Sequence, residues 1–99
     1  MDARRRRKPA DPLARAVALL AAGDWQEAHE IVQEEESPLG AWLHGIVHTL
    51  EGDLGNARYW YRKAGRPFPG REAVRKEIAA ARRAVRGAGR ARPAPRPPS

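Results

Sequence analysis

The stretch PLGAWLHGIVHTLEGDLGNARYWYRKA, residues 38–64, holds the pattern of two helices and the turn between them. Its first half repeats apolar residues every three or four positions, which is the period of a helix that packs along one face. Gly52 is a natural helix end and Asp53 a natural helix start, because Gly accepts a left-handed backbone and Asp caps free N–H groups. The second half places four residues on one helical face: Ala57, Trp60, Tyr61 and Ala64. The stretch therefore predicts a helical hairpin.

The same pattern occurs 29 residues earlier, where Gly23-Asp24 aligns with Gly52-Asp53. This internal repeat predicts a first hairpin between residues 11 and 36. A fifth helix over about residues 71–86 carries a single apolar row, formed by Val74, Ile78, Ala81 and Val85. No segment sustains the two-residue alternation of a strand. The sequence therefore predicts an all-α fold of about five helices.

Six residues of the second hairpin stand at the spacings of a tetratricopeptide repeat: Gly45, His48, Ala57, Tyr61, Ala64 and Pro69. Residues 60–64 also resemble the second helix of a Sel-like repeat, and residues 51–61 are similar to a run in short uncharacterised bacterial proteins. The resemblance covers about residues 11–69. It implies two tetratricopeptide-like helical hairpins plus a C-terminal capping helix. It also implies a scaffold that binds another protein and performs no chemistry itself.

The composition limits the functions that the chain can support. Its 99 residues allow one small domain, and the absence of cysteine excludes disulfides, thiol nucleophiles and thiolate metal sites. The longest apolar run, residues 16–22, is too short to span a bilayer, so we expect a cytoplasmic protein. No nucleophile and base stand at a recognisable catalytic spacing. We therefore expect neither enzymatic activity nor a cofactor.

The net charge of +7 is concentrated at the two ends of the chain. Residues 1–8 contain five basic residues and one acidic residue, and residues 82–99 contain six arginines and no acidic residue. This division predicts a disordered basic arm at 1–10, a helical repeat domain at 11–86, and a disordered Arg/Pro-rich tail at 87–99. Basic arms of this kind can bind phosphate backbones without sequence preference.

In a tetratricopeptide scaffold, the first helix of each hairpin lines the inner, partner-binding surface. The resemblance therefore implies a protein or peptide partner bound by five apolar residues: Leu13, Val17, Leu39, Trp42 and Ile46. The alternative for Trp42 is burial under the fifth helix, since small domains rarely expose large apolar patches. Self-association of two chains would supply the third repeat that a solenoid normally needs.

The residues of the fourth helix and of its end predict a second binding surface, on which basic side chains surround an outward-facing aromatic ring. These residues are Arg58, Tyr59, Arg62, Lys63 and Arg66. Cations interleaved with an aromatic ring hold phosphates while the ring stacks on a base, so nucleic acid is the alternative partner. The same residues also fit a clamp on a carboxylate of a partner protein. A third interpretation is a solvated helix end, where the macrodipole favours cations.

His44 and His48 are four residues apart on the third helix, and Glu51 lies one turn further along the same face. A helix presents two imidazoles and a carboxylate to a metal ion at this spacing. The repeat alignment offers another interpretation, because His48 matches the core position Leu19 and His44 matches the surface position Arg15. On that alignment we expect a packed, hydrogen-bonded His48, a His44 at the rim of the domain, and no metal.

Overall fold

The computed structural model describes residues 11–90, and over this range the fold is all-α, with no strand. Its five helices are α1 (Pro12–Ala21), α2 (Trp25–Val32), α3 (Pro38–Glu51), α4 (Leu54–Lys63) and α5 (Val74–Arg90). A short 3-10 turn, Arg71–Ala73, leads into α5. The prediction of an all-α fold with five helices is confirmed.

The first four helices begin at the caps that the sequence predicts. In each, the side chain of the capping residue accepts a hydrogen bond of 3.0–3.3 Å from a backbone N–H two or three residues later; the caps are Asp11, Asp24, Ser37 and Asp53. Gly52 ends α3 with a left-handed φ of +93°. Its N–H and that of Asp53 both donate to the His48 carbonyl, at 3.0 and 2.9 Å, and the chain turns directly into α4.

Helix α3 lies at the centre of the fold. Every residue from 40 to 49 is buried, and α1, α2, α4 and α5 all contact this helix. A helix that is covered all round normally consists of apolar residues. Here the buried set also contains three polar side chains: His44, His48 and Thr49. The Thr49 hydroxyl donates to the Gly45 carbonyl at 2.8 Å, so this buried hydroxyl has a hydrogen-bond partner within the helix.

Helix α5 covers α1 and α3 and closes the core through Ala81 and Val85. It is anchored by Glu77, whose Oε1 accepts hydrogen bonds from Trp42 Nε1 at 3.0 Å and from the Tyr61 hydroxyl at 2.8 Å. One carboxylate oxygen therefore ties α5 to both α3 and α4.

The position of α5 corrects the predicted partner surface. Four of its five residues lie in the core, namely Leu13, Val17, Trp42 and Ile46, and Leu39 is half-buried against them. Trp42 is 2% exposed because it lies beneath α5, so the alternative of burial under the fifth helix is the one that holds. The fifth helix closes the inner face that a tetratricopeptide scaffold would leave open, so these residues form no accessible surface.

Helix α5 continues to Arg90, four residues beyond its predicted end. The predicted tail 87–99 therefore begins inside this helix. The first proline after α5 is Pro93, so the backbone can continue helical past Gly87 once Val85 has packed. The predicted arm 1–10 and residues 91–99 lie outside the described residues.

Within residues 11–90, no helix combines the length and the apolar content that crossing a membrane requires.

Candidate metal centre and basic surface

Three histidines meet where α2 packs against α3. His29 comes from α2, and His44 and His48 come from successive turns of α3. One ring nitrogen of each residue lies within 4.8 Å of the corresponding nitrogens of the other two. His44 and His48 are buried, and His29 is half-buried. The cluster therefore reaches from the core to the edge of the domain.

The packing of the rings defines the geometry of this cluster. The His44 ring stacks on the His48 ring at 5.1 Å between centroids, and His29 meets both rings edge-on, at 4.9 and 5.4 Å. Trp60 of α4 stacks parallel to His44 at 3.8 Å. Burial, followed by the charges of His29 and His48, lowers the pKa of His44 from 6.5 to about 4. His44 is therefore neutral at pH 7, which is the form that binds metal ions.

Glu51 connects to this cluster through His48. Its Oε1 lies 2.7 Å from His48 Nδ1, one turn along α3. A carboxylate is an acceptor, so this contact fits the neutral tautomer that carries its proton on Nδ1 and has a free lone pair on Nε2. Glu51 also forms a second group with His48 and Asp53, and both of these carboxylates are exposed. The packed, hydrogen-bonded His48 that the sequence predicts is confirmed.

The structure changes the predicted ligand set in two ways. His44, which the repeat alignment placed at the rim, is 5% exposed because Trp60 covers its ring. The third candidate ligand of the cluster is His29 and not Glu51, because within the cluster Glu51 contacts His48 alone. The i, i+4 spacing along α3 does not include His29, because His29 belongs to a different helix. Its sequence signal is its place beside the buried residues Ala28 and Val32 on α2.

A surface cleft of about 360 Å³ lies beside His44, between α4 and the connection from α2 to α3. Trp60 and Lys63 line it on the α4 side, and Glu35 and Glu36 line the opposite side. Both charge signs are therefore present at the solvent edge of the histidine cluster.

The predicted anion-binding residues lie on the outer face of α4 and just beyond its end, and all five are exposed: Arg58, Tyr59, Arg62, Lys63 and Arg66. We call this set the α4 basic face. Tyr59 is 46% exposed, as its predicted outward orientation requires. The Lys63 ammonium lies 5.9 Å from the centroid of the Tyr59 ring and 5.6 Å from that of Trp60.

Comparisons of the chain with protein-family models, curated proteins and solved structures find no match. The resemblance to tetratricopeptide and Sel-like repeats therefore stays a prediction from the residues of the second hairpin.

Proposed function

We propose that this protein binds a divalent transition-metal ion, Zn²⁺ by preference, through the imidazoles of His29, His44 and His48. The observation that carries this proposal is the convergence of the rings. The chain contains three histidines, and the fold brings a ring nitrogen of every one within 4.8 Å of the others. They come from two different helices, so helical spacing alone does not account for their meeting.

The polar atoms of these rings support the proposal. Within residues 11–90, the one hydrogen bond from the three rings to a protein group is that of His48 with Glu51. Buried polar atoms are normally paired, and leaving one unpaired costs about 1–3 kcal/mol. A metal ion at the centre of the cluster would accept one lone pair from each ring and so satisfy the three nitrogens together.

The donor set favours zinc among the divalent ions. Imidazole nitrogen suits Zn²⁺, Cu²⁺ and Ni²⁺, whereas Mg²⁺ and Ca²⁺ prefer oxygen ligands. Three histidines and one open position form a recurring zinc arrangement. Tetrahedral zinc with bonds of 2.0–2.1 Å places its ligand nitrogens about 3.3 Å apart, which is inside the 4.8 Å limit within which the three nitrogens lie. His29 is only half-buried and is the ring with the most room to rotate.

Glu51 has a positioning role in this proposal. Histidines that bind metal commonly donate their other ring N–H to a carboxylate, which fixes the tautomer and orients the free nitrogen. The 2.7 Å contact between Glu51 and His48 Nδ1 has this form and leaves Nε2 for the metal ion. Trp60, stacked on His44, limits the orientations of the second ring.

Isothermal titration calorimetry of the untagged, chelator-stripped protein with Zn²⁺ tests this proposal, because a histidine tag would itself bind the ion. We expect one equivalent of zinc per chain. His29→Ala is the informative variant, since its half-buried ring can be removed with little effect on the core. It should lose zinc binding and keep its helical circular dichroism. Absence of zinc-dependent heat in the folded wild-type protein would refute the site.

A second variant tests the role of Glu51. Removing a carboxylate that orients a metal-binding histidine typically costs 10–100-fold in metal affinity, and we expect a loss of about that size for Glu51→Gln. The matched control is Glu72→Gln, which removes the same charge from an exposed residue of the 3-10 turn. Equal zinc affinity of the two variants would show that Glu51 does not position His48.

A further inference from the structure

The α4 basic face consists of two rows of side chains. Arg58 and Arg62 form one row at four-residue spacing on α4, Tyr59 and Lys63 form a parallel row beside them, and Arg66 follows three residues after the end of the helix. Residues four apart are neighbours on a helix surface. We propose that this face binds single-stranded nucleic acid, with phosphates on its basic side chains and a base stacked on the Tyr59 ring.

Aromatic rings hold several of these cations in place. The Arg66 guanidinium lies 3.4 Å from the centroid of the Trp42 ring, and the Arg58 guanidinium lies 5.4 Å from that of Phe68. Cation–π contacts of this kind limit the conformations of a long side chain before a ligand arrives. The cost of ordering these arginines on a phosphate is correspondingly smaller.

The positive charge of this part of the fold is not neutralised locally. Residues 54–90 contain eleven basic and two acidic residues, whereas residues 11–53 contain one basic and nine acidic residues. Within residues 54–88, no basic side chain forms an ion pair with a carboxylate; the two pairs of the described region are Arg15–Glu27 and His48–Glu51. Glu77 already accepts hydrogen bonds from Trp42 and Tyr61. A polyanion would therefore meet uncompensated cations.

The chemistry of the exposed surface favours nucleic acid over a protein or a membrane. Protein interfaces centre on buried aromatic and aliphatic anchors, yet Tyr59 is the one exposed large hydrophobic residue among those described. Binding in the plane of a membrane needs an apolar helix face, and the valines and the isoleucine of α5 lie in the core or against it. A single exposed ring among cations is instead the arrangement that stacks on unpaired bases.

The test is fluorescence anisotropy of the full-length chain with labelled 20-nucleotide dT and rU strands over a series of salt concentrations. The face variant combines Arg58→Gln, Arg62→Gln and Lys63→Gln. Its matched control combines Arg71→Gln, Arg75→Gln and Lys76→Gln, which removes the same charge from exposed residues before and within α5. Each phosphate contact on a single strand contributes about 0.7 to the slope of log K against log salt. We expect the face variant to lower that slope by about two, and the control to change it by less than one.

Two variants of Tyr59 distinguish base stacking from charge attraction. Tyr59→Ala should weaken binding of the single strands about tenfold, while Tyr59→Phe should retain wild-type affinity, because base–aromatic stacking needs the ring and not the hydroxyl. Circular dichroism and thermal melting of every variant establish that the helices are intact.

Three outcomes would overturn the proposal. The first is an equal loss of affinity in the face variant and in its control, which would indicate general charge attraction. The second is loss of binding only when residues 4–8 are changed to Gln, which would assign it to the basic arm. The third is a polyglutamate peptide that competes as well as unlabelled dT, which would indicate an acidic polypeptide as the partner.

Discussion

At the residue scale, Gly45 sets how closely α3 and α4 approach. A Cβ atom added there would lie 2.5 Å from Cδ1 of the buried Tyr61 ring. Alanine is favoured over glycine inside a helix by about 1 kcal/mol, but overpacking a core costs about 1–3 kcal/mol. Because the helix-propensity gain offsets part of the overpacking cost, we expect Gly45→Ala to lower the free energy of unfolding by up to about 2 kcal/mol, measured by urea denaturation.

The matched control is Gly55→Ala in α4, where the nearest atom to an added Cβ is 4.0 Å away. It should be neutral or slightly stabilising, because only the helix-propensity gain applies. If Gly45→Ala gained as much free energy of unfolding as Gly55→Ala, the tight α3–α4 contact would be contradicted, and the result would indicate that Tyr61 moves aside easily.

His44 makes the stability of the metal-free protein depend on pH. Its folded-state pKa of about 4 lies below the unfolded value of 6.5, so between these values the unfolded state binds a proton that the folded state excludes. Stability should therefore fall as the pH drops from 6.5 towards 4, by at most about 1.4 kcal/mol per pH unit. Urea unfolding in the presence of a chelator, with His44→Gln as reference, measures this contribution. Parallel pH profiles for the two proteins would contradict the low pKa.

At the element scale, α5 is held in place by one carboxylate. Removing Glu77 leaves the Trp42 indole N–H and the Tyr61 hydroxyl without their acceptor. An unsatisfied buried donor costs about 1–3 kcal/mol. We expect Glu77→Ala to destabilise the protein by about 2–4 kcal/mol, and to increase hydrogen exchange in α5 more than in α3. Thermal unfolding and amide exchange provide the measurements.

Glu72→Ala is the control for this prediction, because Glu72 is exposed in the turn before α5.

The hydrogen bond from Tyr61 to Glu77 also affects the titration of the Tyr61 hydroxyl on α4. Burial, and then the hydrogen bond to Glu77, raise the pKa of Tyr61 above its usual value. A tyrosine that titrates normally in the folded protein would indicate that α5 does not cover this ring.

At the scale of the whole molecule, zinc binding should couple to folding, because the three histidines come together only when α2 packs on α3. A ligand present at 100 times its Kd stabilises the folded state by about 2.7 kcal/mol. For a domain of this size, that corresponds to a rise in Tm of about 10–20 °C. Differential scanning calorimetry with Zn²⁺, and with Mg²⁺ as the control, measures the shift. An unchanged Tm at saturating zinc would contradict the proposed centre.

Acidic and basic residues also lie in different parts of the fold, because they belong to different parts of the chain. The acidic residues belong to α2, to the last residue of α3 and to the caps and connections of the first four helices, and the basic residues belong mainly to α4 and α5. The histidine cluster lies at the junction, because Trp60 of α4 stacks on His44 of α3. The two proposed sites are therefore adjacent, although each is tested by its own ligand and its own variants.

The sequence by itself determined the local structure. Helical periodicity, the four capping side chains and the left-handed Gly52 are effects of neighbouring residues, so they predict the first four helices and their starts. The outward orientation of Tyr59 was also expected from the sequence. These features depend on backbone preferences and on the period of one helix, and a few consecutive residues determine both.

Only the tertiary structure decided what the helices cover and what they bring together. The placement of α5 over Trp42 depends on a bond to Glu77, 35 residues away, and it buries the predicted partner surface. The meeting of His29 with His44 and His48 depends on the register of α2 against α3. Such register is set by the packing of whole apolar faces, and no spacing within one helix encodes it. For this reason the contact of His29 with the two histidines of α3, and the burial of His44, could not be predicted from the sequence.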